Sequence, residues 1–272
     1  MNMKRVLTAV IGFPIVVAVL ILANKYIIDV IVAGVACIAM HEYIKSAANK
    51  DIHVIKWVSY LSVLGIAFLH LIPIEIYINV LLFAIPVLLL ILFFHVIVTN
   101  MKITFKDVAF TFIGIIYIYS FLAFLPAIFG LEGNVSGKML IWYVFLTAWG
   151  TDTFAYMFGM KIGKTKFSKV SPNKSIEGCV AGTIGAIVCS LLYTLLLNVI
   201  GGVNISYLLI GICAFILSII GQIGDFSASV IKRYFEVKDF SNIFPGHGGM
   251  LDRIDSVMLI APFSYMMWLI IL

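Results

Sequence analysis

Polar residues interrupt this chain in clusters, and between the clusters the apolar runs are almost unbroken. Nine runs come close to the ~20 residues a helix needs to cross a hydrocarbon core. They cover residues 6–23, 26–44, 57–73, 76–98, 108–129, 139–159, 178–200, 204–224 and 254–271. The pattern predicts an all-α, polytopic integral membrane protein of about nine transmembrane helices. The first run follows a basic stretch, Met1–Arg5, as a signal peptide would. It is long, however, and no small-x-small cleavage site with a polar start follows, so it reads as a retained span.

Loop charge sets the expected orientation. With a cytoplasmic N-terminus, 16 of the 18 Lys and Arg fall on the cytoplasmic side, and only Lys25 and Lys138 fall opposite. That asymmetry is the positive-inside pattern, and with an odd number of spans it places the C-terminus outside. The first five runs carry their charges mainly in loops. From about residue 147 onward, Asp, Glu, Lys, Ser, Thr and Gly collect at the cytoplasmic ends of the spans. The chain is therefore divided into an apolar scaffold half, 1–135, and a chemistry-bearing half, 136–272, expected to form one folding unit. No internal repeat and no Pro/Gly/Ser linker separates them.

Composition agrees. Of 272 residues, 63% are hydrophobic and 11% charged, against ~25% charged in soluble domains. The mean hydropathy is +1.15. Soluble, disordered and collagen-like classes are excluded. The net charge of +5 comes from few cations in a mostly apolar chain, so no nucleic-acid partner is expected. Cys37, Cys179, Cys189 and Cys213 lie in apolar stretches without a C-x-x-C pair and read as small buried hydrophobes.

Acids within spans are costly and direct attention to function. Glu75, Glu132, Asp51 and Asp107 sit in loops and call for no explanation. Asp29 is expected to reach the interface, and Glu42, beside His41, to snorkel or form a local salt bridge. His70 and His95 read as hydrogen-bonded packing residues. Asp225, in GQIGDFSASVIKR, is different. If its helix continues, Ser229 and Lys232 share its face and Arg233 follows. An acid followed by two cations suits a metal-plus-anion site; a helix end with positive-inside anchors explains it as well.

The next stretch, YFEVKDFSNIFPGHGGMLDRIDSV, favours the site. Pro245, Gly246, Gly248 and Gly249 make a loop whose amides can approach a phosphate closely, and His247 can donate to it. Asp252, Arg253 and Asp255 then open the last span, with the two acids on one helix face; capping of the helix N-terminus also accounts for acids there. Carboxylates from two helices flanked by Lys and Arg suit a magnesium-nucleotide site. No zinc cluster, G-x-S-x-G elbow or Walker A sequence is present. Residues 161–178, KIGKTKFSKVSPNKSIEG, form a second cationic cluster on the same side. SPNKSIEG reads as a helix start able to hold phosphate through Lys174 and Ser175, with Glu177 serving a metal or orienting Lys174. Asp152, just upstream, faces the same side. Gly178, Gly182 and Gly185 would let the seventh span approach a neighbour closely.

Residues 227–256 closely resemble the signature of the phosphatidate cytidylyltransferase (CDP-diacylglycerol synthase) family. Ser229, Lys232, Arg233, Lys238, Asp239, Pro245, Gly246, His247, Gly248, Gly249, Asp252, Arg253 and Asp255 occur in the signature's order. SPNKSIEG and DTFAYMFG are similar to the family's upstream elements; Ser175 stands where the family more often has Thr. The specific resemblance covers about residues 147–256. It implies that CTP and phosphatidate give CDP-diacylglycerol and pyrophosphate at the inner face of the cell membrane, with Mg2+ or Mn2+ and room for a second cation. Asp225 and Asp252 would be the leading metal ligands, with Asp255 and Glu177 behind them. Lys174, Ser175, Ser229, Lys232, Arg233, Lys238 and Arg253 would contact phosphate, and His247 with Gly246, Gly248 and Gly249 would cradle the triphosphate. A homodimer is implied by the resemblance alone.

Two related activities compete: a CTP-dependent polyprenol kinase and a cytidylyltransferase for archaeal-type ether lipids. A membrane transporter is the alternative of a different class, disfavoured because the acids gather at one face and not near the midplane.

Overall fold

The computed structural model describes residues 3–133, 135–168, 170–172, 174–246 and 248–271, with backbone alone for residues 3–9, 11, 74, 75, 77, 78, 81 and 271. His247 and Lys169 lie outside the described residues. The chain forms α1 (Met3–Leu22), α2 (Lys25–Ala47), α3 (Lys56–Leu64), α4 (Ile74–Val98), α5 (Phe105–Ile115), α6 (Phe124–Phe129), α7 (Gly137–Ile162), α8 (Ile176–Ile200), α9 (Tyr207–Tyr234) and α10 (Leu251–Ile271).

Among the described residues, five stretches are long and apolar enough to cross a membrane: Lys25–Lys50, Phe105–Phe129, Ile176–Ile200, Tyr207–Tyr234 and Leu251–Ile270. Large apolar side chains on these helices, such as Val180, Leu192, Leu196 and Leu208, stand exposed. Water would penalise that surface, whereas lipid tails do not. The protein is an all-α polytopic membrane protein, as the apolar runs predict.

The boundaries differ where local chemistry intervenes. The run 57–73 is a helix only to Leu64 and tightens into a 3-10 turn over Gly65–Leu71. The run 108–129 begins earlier, at Phe105, because Thr104 and Asp107 form a capping box. It then widens to a π-turn over Ile116–Ser120. α9 continues past the expected end at residue 224 to Tyr234.

Chain contacts divide the molecule into two compact units, Met1–Ala127 with Tyr234–Arg253, and Ile128–Arg233 with Ile254–Leu272. In the first unit, residues after α9 dock on α2 and α5 through aromatic rings. Phe110 stacks on Tyr234 with centroids 5.2 Å apart, Phe235 meets the Tyr43 ring edge-on at 5.5 Å, and the Tyr43 hydroxyl donates to the Phe110 carbonyl at 3.0 Å. Asp29, expected to reach the interface, is instead buried: it accepts the His70 backbone N–H at 2.9 Å, and its Oδ1 lies 2.6 Å from His70 Nδ1. A partner supplied by the turn after α3 removes the need to reach water.

In the second unit, α7 and α8 run against each other over their length. A Cβ on Gly182 would lie 2.7 Å from the Thr151 carbonyl oxygen, and one on Gly178 3.0 Å from that of Ala155. The neighbour of the small-residue face of α8 is therefore α7 of the same chain. Hydroxyls join the helices, with Tyr143 to Thr194 at 2.8 Å and Thr151 to Ser218 on α9, also at 2.8 Å. Such bonds are worth about 0.6 kcal/mol each in a membrane.

Candidate active site

Unit 2 gathers one set of candidate residues. α8 begins after Ser175, whose side chain accepts the Gly178 amide at 3.1 Å as an N-cap. The residue before the cap, Lys174, forms an ion pair with Asp225 on α9, and each of these side chains is about one quarter exposed. The Lys174 ammonium also lies 4.4 Å from the Phe226 ring centroid. α9 crosses α10 closely at Gly224, where a Cβ would lie 2.7 Å from the Asp255 carbonyl oxygen. That approach brings Asp225 within electrostatic reach of Asp255, together with Asp152 and Lys232. Asp255 is buried and accepts the Ser256 amide at 2.9 Å, while the Ser256 hydroxyl lies 3.4 Å from Asp152 Oδ2. Three carboxylates and two lysines from four helices or their starts thus share one neighbourhood. On α9, Ser229 is buried one turn beyond Asp225, Lys232 is half-buried and Arg233 is exposed.

Among the described residues no hydrogen bond or ion pair joins Glu177 to Lys174. The Glu177 carboxylate accepts the amides of Lys164 and Thr165 at 3.2 Å and so ties the loop after α7 to the first turn of α8. Beside this set, between α8 and α9, lies an apolar cavity of about 770 Å³ lined by residues that include Phe167, Ile176, Val180, Ile223 and Phe226.

Unit 1 carries the glycine loop. Phe244 donates its amide to the Gly248 carbonyl at 3.0 Å, closing a turn in which Gly246 and Gly248 have φ of 80° and 82°. Asp252 Oδ2 accepts the amides of Phe240 and Gly249, both at 2.9 Å. Asp252 therefore holds the two ends of the loop to the start of α10, a duty beyond the metal ligation expected of it. Lys238 and Arg253 are exposed.

Glu42 is a further acid that sequence reasoning misread. It does not snorkel, and among the described residues it forms no salt bridge. It is 1% exposed and accepts the Ser241 hydroxyl at 2.5 Å, the Met250 amide at 2.9 Å and the Leu251 amide at 2.8 Å. A carboxylate from α2 thus caps α10 and fastens the loop, where both the orphan amides and the helix dipole favour it. A Cβ on Gly249 would lie 2.5–2.6 Å from the Glu42 carboxylate oxygens, so this glycine is what lets Glu42 in. The available signal was an acid in an apolar run; its partners are backbone amides about 200 residues away.

Among the described residues no group of three or more His, Cys, Asp and Glu is arranged to hold a metal. Magnesium does not need one, since it takes one or two carboxylates and fills its shell with phosphate oxygens and water. The all-oxygen pair Asp225 and Asp255 fits that demand.

A family model described as "Cytidylyltransferase family" matches residues 3–271. The chain is 40% identical over 173 residues to the phosphatidate cytidylyltransferase of Staphylococcus saprophyticus, covering 63% of each chain. It is 37% identical over 178 residues to that of Bacillus subtilis, covering 65% of this chain and 64% of the relative. It is 38% identical over 169 residues to that of Thermotoga maritima, covering 61% of each. In each case the match spans less than two thirds of the relative's length.

Proposed function

This chain belongs to the cytidylyltransferase family, and on that premise we propose that it transfers the cytidylyl group of CTP to phosphatidate, giving CDP-diacylglycerol and pyrophosphate. In this reading a phosphate oxygen of the lipid attacks the α-phosphorus of CTP. The bond from that phosphorus to the bridging oxygen of the β-phosphate breaks, and pyrophosphate leaves with the electron pair. The nucleophile is already anionic, so the protein's task is placement and charge neutralisation.

The observation that carries the proposal is the Lys174–Asp225 ion pair at the start of α8, with Asp255 and Asp152 beside it. Lys174 and the amides of the α8 first turn hold phosphate oxygens, and Lys232 and Arg233 add charge along α9. Asp225 and Asp255 hold Mg2+ or Mn2+, which supplies charge neutralisation at the phosphates when bound. The apolar cavity beside Phe226 takes a lipid acyl chain. CTP reaches the site from the cytoplasm and phosphatidate from the inner leaflet of the cell membrane.

The test uses purified protein, phosphatidate, magnesium and CTP labelled at the α-phosphate. Label in the extracted lipid is expected, and Asp225→Asn should abolish it. No lipid label there, with label passing to lipid from γ-labelled CTP when a polyprenol is supplied, would establish a polyprenol-kinase-type reaction, and wild-type turnover by Asp225→Asn would remove that acid from the site.

A further inference from the structure

Two lysines of unit 1 are engaged locally. Lys50 pairs with Glu236, and Lys106 donates to the Lys50 carbonyl at 3.0 Å. Lys45 and Lys56 have no ion pair among the described residues. Those two line one concavity of about 430 Å³, together with His41, His53 and Tyr60, and no carboxylate lines it. The volume lies in the range of small-ligand sites, roughly 300–1,000 Å³.

The concavity is built from fixed parts. His41 and Lys45 stand one turn apart on α2, and His41 Nδ1 lies 3.1 Å from the Tyr60 hydroxyl. The His53 amide donates to Asp107 Oδ1 at 2.6 Å and the Ile55 amide to Thr111 at 3.0 Å, which pins residues 53–55 to α5. Buried Ile44, Ile52 and Val54 form an apolar floor. α3 opens at Lys56 with no side-chain cap on its first amides, so that wall is electropositive as well. Two unpaired lysines in one concavity repel each other, and an anion between them relieves the repulsion.

The concavity lies where the apolar stretch Lys25–Lys50 ends, and the end of a span is where a membrane protein meets lipid headgroups. A soluble anion would use the cationic rim but not the floor. A glycerophosphate group uses both. We propose that this is a binding site for the headgroup of an anionic phospholipid. Its phosphate diester lies between Lys45 and Lys56, Tyr60 and His41 supply hydrogen bonds, and its glycerol carbons rest on Ile44, Ile52 and Val54. The proposal does not depend on the reaction assigned above.

The experiment is native mass spectrometry of the full chain in detergent, with phosphatidylglycerol and phosphatidylcholine in competition. Wild type is expected to retain one phosphatidylglycerol in preference to phosphatidylcholine. Each lysine at a membrane surface contributes about fivefold to anion affinity, so Lys45→Ala with Lys56→Ala should lower that retention roughly 20-fold. Lys161→Ala with Lys164→Ala removes the same charge elsewhere and should leave it unchanged. Equal loss in both double variants, or no selectivity in wild type, overturns the proposal. Inorganic phosphate is the second probe. Displacement of the lipid by millimolar phosphate would make this a soluble-anion site and overturn the lipid assignment; retention of the lipid supports it.

Discussion

Glu42 offers the sharpest test of how the glycine loop is held. Truncation by Glu42→Ala strips acceptors from the Met250 and Leu251 amides, and Leu251 is fully buried. A buried amide without a partner costs about 1–3 kcal/mol. The buried Leu251 amide at the top of that range and the part-buried Met250 amide at its bottom put the expected cost at about 4 kcal/mol, the Ser241 hydroxyl being able to turn elsewhere. That corresponds to about a thousandfold in a local opening equilibrium. Glu42→Gln keeps one acceptor oxygen but sets an NH2 group against an amide N–H, and should lose about half as much. Hydrogen exchange in detergent reads this directly, because local opening exposes these two amides without unfolding the rest. Expected are exchange rates for residues 250 and 251 that rise by about three orders of magnitude in Glu42→Ala and less in Glu42→Gln. Rates in Glu42→Ala within about threefold of wild type would show that the loop is held by something else.

Gly249→Ala attacks the same clasp from the other side. Its Cβ would press on the Glu42 carboxylate, lowering thermal stability by about 1–3 kcal/mol and raising exchange at the same amides. Exchanging the charges by Lys174→Asp with Asp225→Lys restores an ion pair but not a metal-binding acid, so lipid labelling from CTP should stay abolished; recovery would mean that the pair is only a strut. Gly182→Val drives a side chain into the Thr151 carbonyl and should destabilise α7 against α8 by about 2–3 kcal/mol, read as an earlier unfolding midpoint in detergent.

The helices were legible because a hydrocarbon solvent leaves a blunt mark: long apolar runs with charge only between them. The small-residue face of α8 was legible for the same reason, since Gly178, Gly182 and Gly185 have no other use inside a span. Asp225 with the lysines around it stood out because acids near spans are rare. Harder to read were acids whose partners are backbone groups. Glu42 and Asp252 accept amides, and any residue type supplies an amide, so no complementary residue marks those partners; Asp29 has the His70 ring as well as its amide. Asp107, taken for a loop acid that calls for no explanation, is buried and caps α5; Thr104 three residues earlier, which spells a capping box, was the signal passed over. The division of the chain by contacts was invisible because residues 234–253 join the N-terminal helices through Tyr43, Phe110 and Glu42, a long-range association that no local pattern encodes.

The Glu42 clasp has a consequence for biogenesis. Its two amide partners lie 208 and 209 residues further along the chain. At about 5–20 residues per second, the ribosome delivers them roughly 10–40 s after α2 has been made. During that interval α2 carries an acid near its C-terminal end that must stay in contact with water. The N-terminal helices therefore wait in an unfinished arrangement, and arrival of Met250 and Leu251 closes it. The start of α10 completes an α2 made some two hundred residues earlier.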